Sequence, residues 1–342
     1  MHSDRADERE LFEPVNLCNE RGHLASNAIG WSRFPLHRCN LRGHFFRKKR
    51  WDYWCVSTQS HLLSLVYADL GYLGIAEVAW LDYASGRYAK KSAAVPLALG
   101  FQQPEQVAGA SIHFRGQGLE LDIWEHPSGT RLEALVGRVG RARLRAELFA
   151  KLPRGDETLN VVVPWSTSRF QFTSKHVARP TTGWALVDGE RWNFGADNEA
   201  FACLDFGRGV WPFSTTWNWA AASGMVEGRR VGINLGGQWT DGTGSTENAL
   251  FIDGKIHKIS EPVTFDYDPT SDRAPWVIRD AGNKIHLVLE PFYPRRENVN
   301  LGILHSRVIQ CFGRMSGHVR VGSQRLDLRG LIGWAEEHQA RW

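Results

Sequence analysis

From Asp52 onward, short runs of β-branched and aromatic residues alternate with polar positions and are cut by Gly, Asp-Gly, Ser-Gly or Pro. This is the pattern of half-buried strands joined by tight turns. The runs predict strands over 52–58, 61–69, 72–83, 119–126, 131–138, 141–149, 158–163, 200–206, 214–226, 229–236, 248–252, 255–259 and 284–290. Asp188-Gly189, Glu227-Gly228 and Asp253-Gly254 lie between apolar runs, and a Gly supplies the positive φ of a two-residue hairpin turn. Helical spacing emerges only at the end, where Leu331, Trp334, Ala335 and His338 fall at i, i+3, i+4 and i+7 and predict a short C-terminal helix. The expected architecture is therefore all-β: two consecutive antiparallel β barrels or curved sandwiches, with that helix capping one end. The Pro-bearing region 150–182 reads as the passage between them, giving an N-terminal β domain over 1–180 and a C-terminal β domain over 181–342.

The strand register brings candidate chemistry together. With Glu227-Gly228 as a two-residue turn, Trp219 lies opposite Gly236, Ala221 opposite Asn234 and Trp217 opposite Gln238. One face then carries Trp217, Trp219, Asn234 and Gln238, with Gly236 leaving room for an indole; aromatic planes beside fixed amides are the makings of a ligand pocket. The Asp253-Gly254 turn sets Leu250 opposite His257 and Ala249 opposite Lys258, so Asn248, Leu250 and His257 share a face. Glu247 is either half of a cross-strand pair with Lys258 or a carboxyl in a Trp-lined cavity, where burial raises its pKa and makes it a proton donor. Asp205 has the same two readings, with Arg208 three residues on as its expected bidentate partner and Trp211 close behind. Lys175 and His176 fall between expected strands and read as loop residues, with donation to an anionic group as the alternative, and Glu336, Glu337 and His338 are dispersed around the expected helix.

Composition narrows the class. The 342 residues, 42% apolar, supply ample material for a core. Forty-one Lys plus Arg against 37 Asp plus Glu give +4, too small and too evenly spread for a nucleic-acid groove, and the run Arg47, Lys48, Lys49, Arg50 reads as a solvated turn. Met1 to Glu13 is acidic and basic where a leader would be apolar, and the uncharged stretch Gly209 to Val226 contains Pro212, Thr215, Thr216 and Asn218, so a cytoplasmic protein with no transmembrane segment is expected. Five cysteines without a C-x-x-C pair read as reduced thiols. Cys18, His23, His37 and Cys39 fit no standard zinc spacing, and no phosphate loop, dinucleotide fingerprint, G-x-S-x-G or His-Glu-x-x-His is present, so neither metal nor cofactor is expected. The unusual figure is 15 Trp against 7 Tyr.

Gly30-Trp31-Ser32-Arg33 with Leu36-His37, Lys49-Arg50-Trp51-Asp52-Tyr53-Trp54-Cys55, Gly207-Arg208-Gly209-Val210-Trp211-Pro212, Thr246-Glu247-Asn248-Ala249 and the tail Ala335-Glu336-Glu337-His338 with Arg341-Trp342 together resemble a bacterial family described only as a domain of unknown function. More distantly the Trp-rich β pattern is similar to two-domain lipocalin-like proteins, a group with carotenoid hydratases, tocopherol-cyclase-like enzymes and lipid carriers. The resemblance implies a small lipophilic ligand. Three functions stay open: a cofactor-independent hydratase, cyclase, isomerase or lyase with Glu247 or Asp205 as acid; a lipid or isoprenoid carrier; and a carbohydrate-processing enzyme with two carboxylates flanking its site. Arg208, Trp211, Trp217, Trp219, Asn234, Gln238, Asn248 and His257 are the expected substrate-binding residues.

Overall fold

Successive side chains of a strand point to opposite faces, and in this protein the two faces have different destinations. The computed structural model describes residues 8–138, 141–301 and 304–342; residues 1–7, which carry half of the leader reading, lie outside the described residues. The first large sheet follows the order Tyr88–Pro96, Leu73–Asp82, His61–Asp69, Lys48–Ser57, Phe201–Val210, Arg169–Val187, Arg141–Lys151, Gly129–Arg138, Leu119–His126, Ile112–Gly116, and curls into a nearly closed barrel. The second runs Lys255–Ile259, Asn248–Ile252, Arg229–Gly237, Ser214–Val226, Gln324–Arg341, Leu304–Val321, Ile285–Leu301, Trp276–Asp280, Val263–Asp266, and curls into a half-barrel. Both are antiparallel, and together they form two consecutive lipocalin-like barrels. Among the described residues no helix is long and apolar enough to cross a membrane.

Alternation divides the core into three. In the 201–210 strand, Ala202, Leu204 and Phe206 enter the first barrel beside Trp54, Leu65 and Phe172, while Cys203 and Asp205 turn outward. In the 214–226 strand, Ala220 and Ala222 enter the second barrel with Ile233, Leu250 and Leu289, while Trp219 and Ala221 turn back toward the first sheet. The outward faces meet in a third cluster containing Cys55, Leu62, Cys203, Trp219, Phe251 and Trp334. Removing each such large side chain from water contributes roughly 1.5–3 kcal/mol. The sheets are thereby fixed to each other, and a cavity lies in the seam.

All thirteen expected segments are strands, and all three hairpins form, with Asp188, Glu227 and Asp253 at φ 50° and each following Gly also left-handed. Three expectations are corrected. The C-terminal segment is not a helix but the end of the 18-residue strand Gln324–Arg341. It is buried on both faces, Leu331 and Ala335 against the second core and Trp334 in the seam, so apolar residues at every phase imitate helical spacing. The boundary near Thr181 falls inside the 19-residue strand Arg169–Val187, and sheet membership changes at 211–213 instead. Of the run at 47–50 only Arg47 lies in a turn: Lys48, Lys49 and Arg50 open the strand Lys48–Ser57, and Lys49 is fully buried.

Candidate active site

A cavity of about 410 Å³ occupies the seam, walled by the first sheet through Trp51, Tyr53, Thr173, Lys175 and Asp205 and by the second through Trp217, Trp219, Gln310, Glu336 and His338. This lies within the roughly 300–1,000 Å³ typical of small-molecule sites. Trp211, Trp239 and Trp342 line it as well, with Trp211 stacked on Trp239 at 5.5 Å and edge-on to Trp342 at 5.5 Å. A Trp-lined cavity is thus present, but it is built between the two sheets and not within the C-terminal half alone, where the Trp217/Trp219 face was expected to place it.

Its polar centre is Lys175. Lys175 and Asp205 are direct cross-strand partners, and the buried ammonium reaches Asp205 Oδ1 at 2.9 Å and Glu247 Oε2 at 3.1 Å, with the Trp219 ring centroid 4.3 Å away. Asp205 also accepts from Trp51 Nε1 at 3.0 Å and Thr173 Oγ1 at 3.1 Å, and Glu247 accepts from Trp239 Nε1 at 2.8 Å. Two glycines make the arrangement possible: a Cβ on Gly207 would strike the Trp51 indole, and one on Gly236 would strike the Glu247 carboxylate. Burial disfavours the charge on Lys175, but Asp205 and Glu247 outweigh it and hold its pKa above the usual range. Burial pushes Glu247 up, against the pull of Lys175. One ammonium thus bridges two carboxyl groups, Asp205 and Glu247.

A third carboxyl lies across the cavity. Glu336 is opposite Trp219 on one neighbouring strand and Gln310 on the other, and alternation places His338 on the same face. Its Oε1 accepts from Trp217 Nε1 at 3.1 Å and its Oε2 from Gln310 Nε2 at 3.0 Å. Gln310 is oriented in turn by Arg295, which donates to its Oε1 at 3.2 Å and is paired with Glu297 at 2.8 Å and Glu77 at 3.3 Å. Burial lifts the Glu336 pKa to about 7, against the indole N–H of Trp217 and the more distant charge of Arg295. Both hydrogen-bond donors are neutral, so neither brings a charge that would offset the effect of burial. His338, tilted against Trp217 with ring centroids 4.0 Å apart and bonded to Ser306 at 2.9 Å, is pushed down to about 3 by burial and is neutral.

The expected site residues divide. Asp205, Glu247, Trp211, Trp217 and Trp219 line the cavity. Asn234 lies behind it, accepting from Trp219 Nε1 at 2.8 Å and donating to the Glu247 carbonyl at 2.6 Å, and so positions both. The other four are not at the cavity. Arg208 is three residues from Asp205, an odd spacing that puts it on the opposite strand face, where it pairs with Asp52 at 2.8 Å. Gln238 is exposed: with φ at 67° it breaks the strand's alternation and swings Trp239 inward in its place. Asn248 is a buried tie between Gly236 N at 2.8 Å and the Glu261 carbonyl at 2.9 Å. His257 does pair with Leu250, but that face belongs to the second barrel. Lys258 pairs with Glu8 and leaves Glu247 to Lys175. Gly236 makes room for the Glu247 carboxylate, where the register reading had it clearing space for the Trp219 ring. The residues the sequence reading missed are Lys175, Trp239, Glu336, His338 and the Arg295–Gln310 support. The visible clue was the i, i+2 spacing of Glu336 and His338, which lines one face only if the segment is a strand.

No curated protein matches the chain. Among solved structures it is similar to CghA with Sch210972 (13% identical over 86% of this chain and 88% of that one, TM-score 0.49). It is also similar to a provisional AttH of Nitrosomonas europaea (10% identical, 87% and 93%, TM-score 0.50) and to kievitone hydratase of Nectria haematococca (9% identical, 89% and 94%, TM-score 0.47). At such identities the likeness is one of fold. A family model matches residues 8–342, which include both sheets and every residue of the cavity, and the chain belongs to that family, the domain of unknown function DUF2804.

Proposed function

We propose that this protein is a cofactor-independent acid–base enzyme, of hydratase, cyclase, isomerase or lyase type, acting on a lipophilic small molecule held in the seam cavity. The observation that carries the reading is Glu336, a buried carboxyl with its pKa near 7 at the wall of an aromatic cavity. A general acid works best when its pKa is close to the working pH. The sequence placed the acid at Glu247 or Asp205, but both are held by the same ammonium, and Glu247 is only 1% exposed. Glu336 delivers the proton to the substrate, and its carboxylate is then received by the N–H groups of Trp217 and Gln310, already in place. Trp219 has Lys175 over its ring, so positive charge developing on the substrate is met by the half-buried rings of Trp51, Trp217 and Trp342. A pure carrier needs the cavity but not the shifted carboxyl. Carbohydrate chemistry needs two carboxylates flanking a bond, whereas Asp205 and Glu247 converge on one lysine.

Occupancy of the cavity is tested by titration with the neutral apolar probe N-phenyl-1-naphthylamine, followed by its fluorescence. Wild-type protein is expected to take up the probe, and Trp217→Ala to bind it at least about tenfold more weakly, since a lost indole face removes both buried area and ring contact. Equal binding by the variant would place the apolar site elsewhere.

A further inference from the structure

Scattered exposed apolar side chains are ordinary, but a gathering of them marks an interaction surface. Ten large apolar side chains are exposed among the described residues. Six of these, Phe45, Phe46, Leu97, Leu99, Phe213 and Val299, belong to segments that frame the mouth of the cavity. Lys49 Nζ donates to the carbonyl of Phe46 at 3.1 Å and to that of Leu70, a lining residue, at 2.7 Å, fastening the loop of Phe45 and Phe46 to the rim. Leu97 N donates to the carbonyl of Tyr72 at 2.8 Å, and Trp342 N to that of Phe213 at 2.9 Å, and both partners line the cavity. Val299 lines it directly. Phe45 is 84% exposed and Leu99 70%.

The backbone beneath these side chains is strained. His44, Phe46, Leu97 and Ala98 have φ of 52°, 61°, 58° and 50°, a region that bulky residues avoid unless the surrounding fold imposes it. The charge around them is positive. Arg42 is exposed, and Arg47 lies 5.3 Å from the Phe213 ring centroid and donates to the Trp342 carbonyl at 3.5 Å. The nearby carboxylates are already neutralised, Asp69 by Arg50 and Glu297 by Arg295 and Lys90.

We propose that the rim formed by Phe45, Phe46, Leu97, Leu99, Phe213 and Val299 docks on an anionic lipid surface, with Arg42 and Arg47 at headgroup level, so that an apolar ligand passes between the bilayer and the cavity. Aromatic side chains flanked by arginines suit the boundary between headgroups and acyl chains, and anionic lipid adds electrostatic attraction. The inference rests on the reading of the cavity as an apolar-ligand site, since the rim surrounds its mouth.

Vesicle flotation of the full chain tests it, using phosphatidylcholine vesicles with and without one quarter phosphatidylglycerol, at low and physiological ionic strength. Wild-type protein is expected to float with the anionic vesicles and less as salt rises. Phe45→Ser/Phe46→Ser should bind them at least about tenfold more weakly, and Arg42→Gln/Arg47→Gln should lose most of the salt dependence. If the double phenylalanine variant fails to fold, Phe45→Ser alone should weaken flotation severalfold. Wild-type protein that ignores both vesicles while still taking up N-phenyl-1-naphthylamine overturns the docking surface and spares the cavity. A solution dimer that Phe45→Ser/Phe46→Ser dissociates also overturns it, by assigning the rim to a second copy of the chain.

Discussion

Glu336→Gln is expected to lower turnover by roughly 10²- to 10⁴-fold, the usual cost of losing a general acid, while uptake of an apolar ligand stays close to wild type. Glutamine fills the same space and can still accept from Trp217 Nε1, but it has no proton to give. Activity of the wild-type protein should fall as pH rises through about 7, where Glu336 ionises, and the variant's residual activity should lack that limb. Stability follows the same sign. The folded pKa is raised above the ordinary 4.5, so the contribution of neutral Glu336 is fully present below that value and is lost as pH rises through about 7. A pH–rate profile and ligand titrations on both proteins check the prediction, and undiminished turnover in the variant would remove Glu336 from the chemistry.

Lys175→Met should have the largest effect on stability. The ammonium is 4% exposed and is the cation shared by Asp205 and Glu247, themselves 8% and 1% exposed. Breaking a buried ionic group by removing one partner typically costs about 3–5 kcal/mol, because the remaining charge is left uncompensated. Here two carboxylates are left. Acid protonates carboxylates and removes the uncompensated charge, so the loss should be greatest at pH 7 to 8 and shrink as the solution is made acidic. Urea denaturation at a series of pH values measures it. The triple variant Lys175→Met/Asp205→Asn/Glu247→Gln, with no net charge to bury, should regain a large part of the loss. A pH-independent cost, or none, would contradict the central place given to Lys175.

Most of the β architecture was legible because period-two alternation and Gly-containing turns are local signals. The register derived from Glu227-Gly228 is the one observed, down to Trp219 opposite Gly236 and Ala221 opposite Asn234. What escaped came from strands whose pattern is not half-polar. The segment 169–187 carries polar residues toward the cavity and a register shift between His176 and Arg179, so Lys175 looked like a loop residue. The segment 324–341 is apolar on both faces over 331–335, immediately before Glu336, which hid Glu336 inside an expected helix. Which carboxylate meets which cation is a matter of how two distant sheets pack together: Lys175 and Glu247 share no strand pair, and only the closed seam brings them to 3.1 Å. Trp239 escaped for a local reason, because the left-handed Gln238 ends the alternation from which its neighbours were placed.

The acid role of Glu336 requires a carboxyl that still holds its proton close to neutral pH, and titration of that carboxyl reads this out. With glutamate labelled at the side-chain carboxyl carbon, ¹³C NMR spectra of the wild-type protein and of Glu336→Gln should differ by one resonance. This resonance is expected to titrate with a midpoint near 7. A resonance that stays at the ionised position down to pH 5 would contradict it.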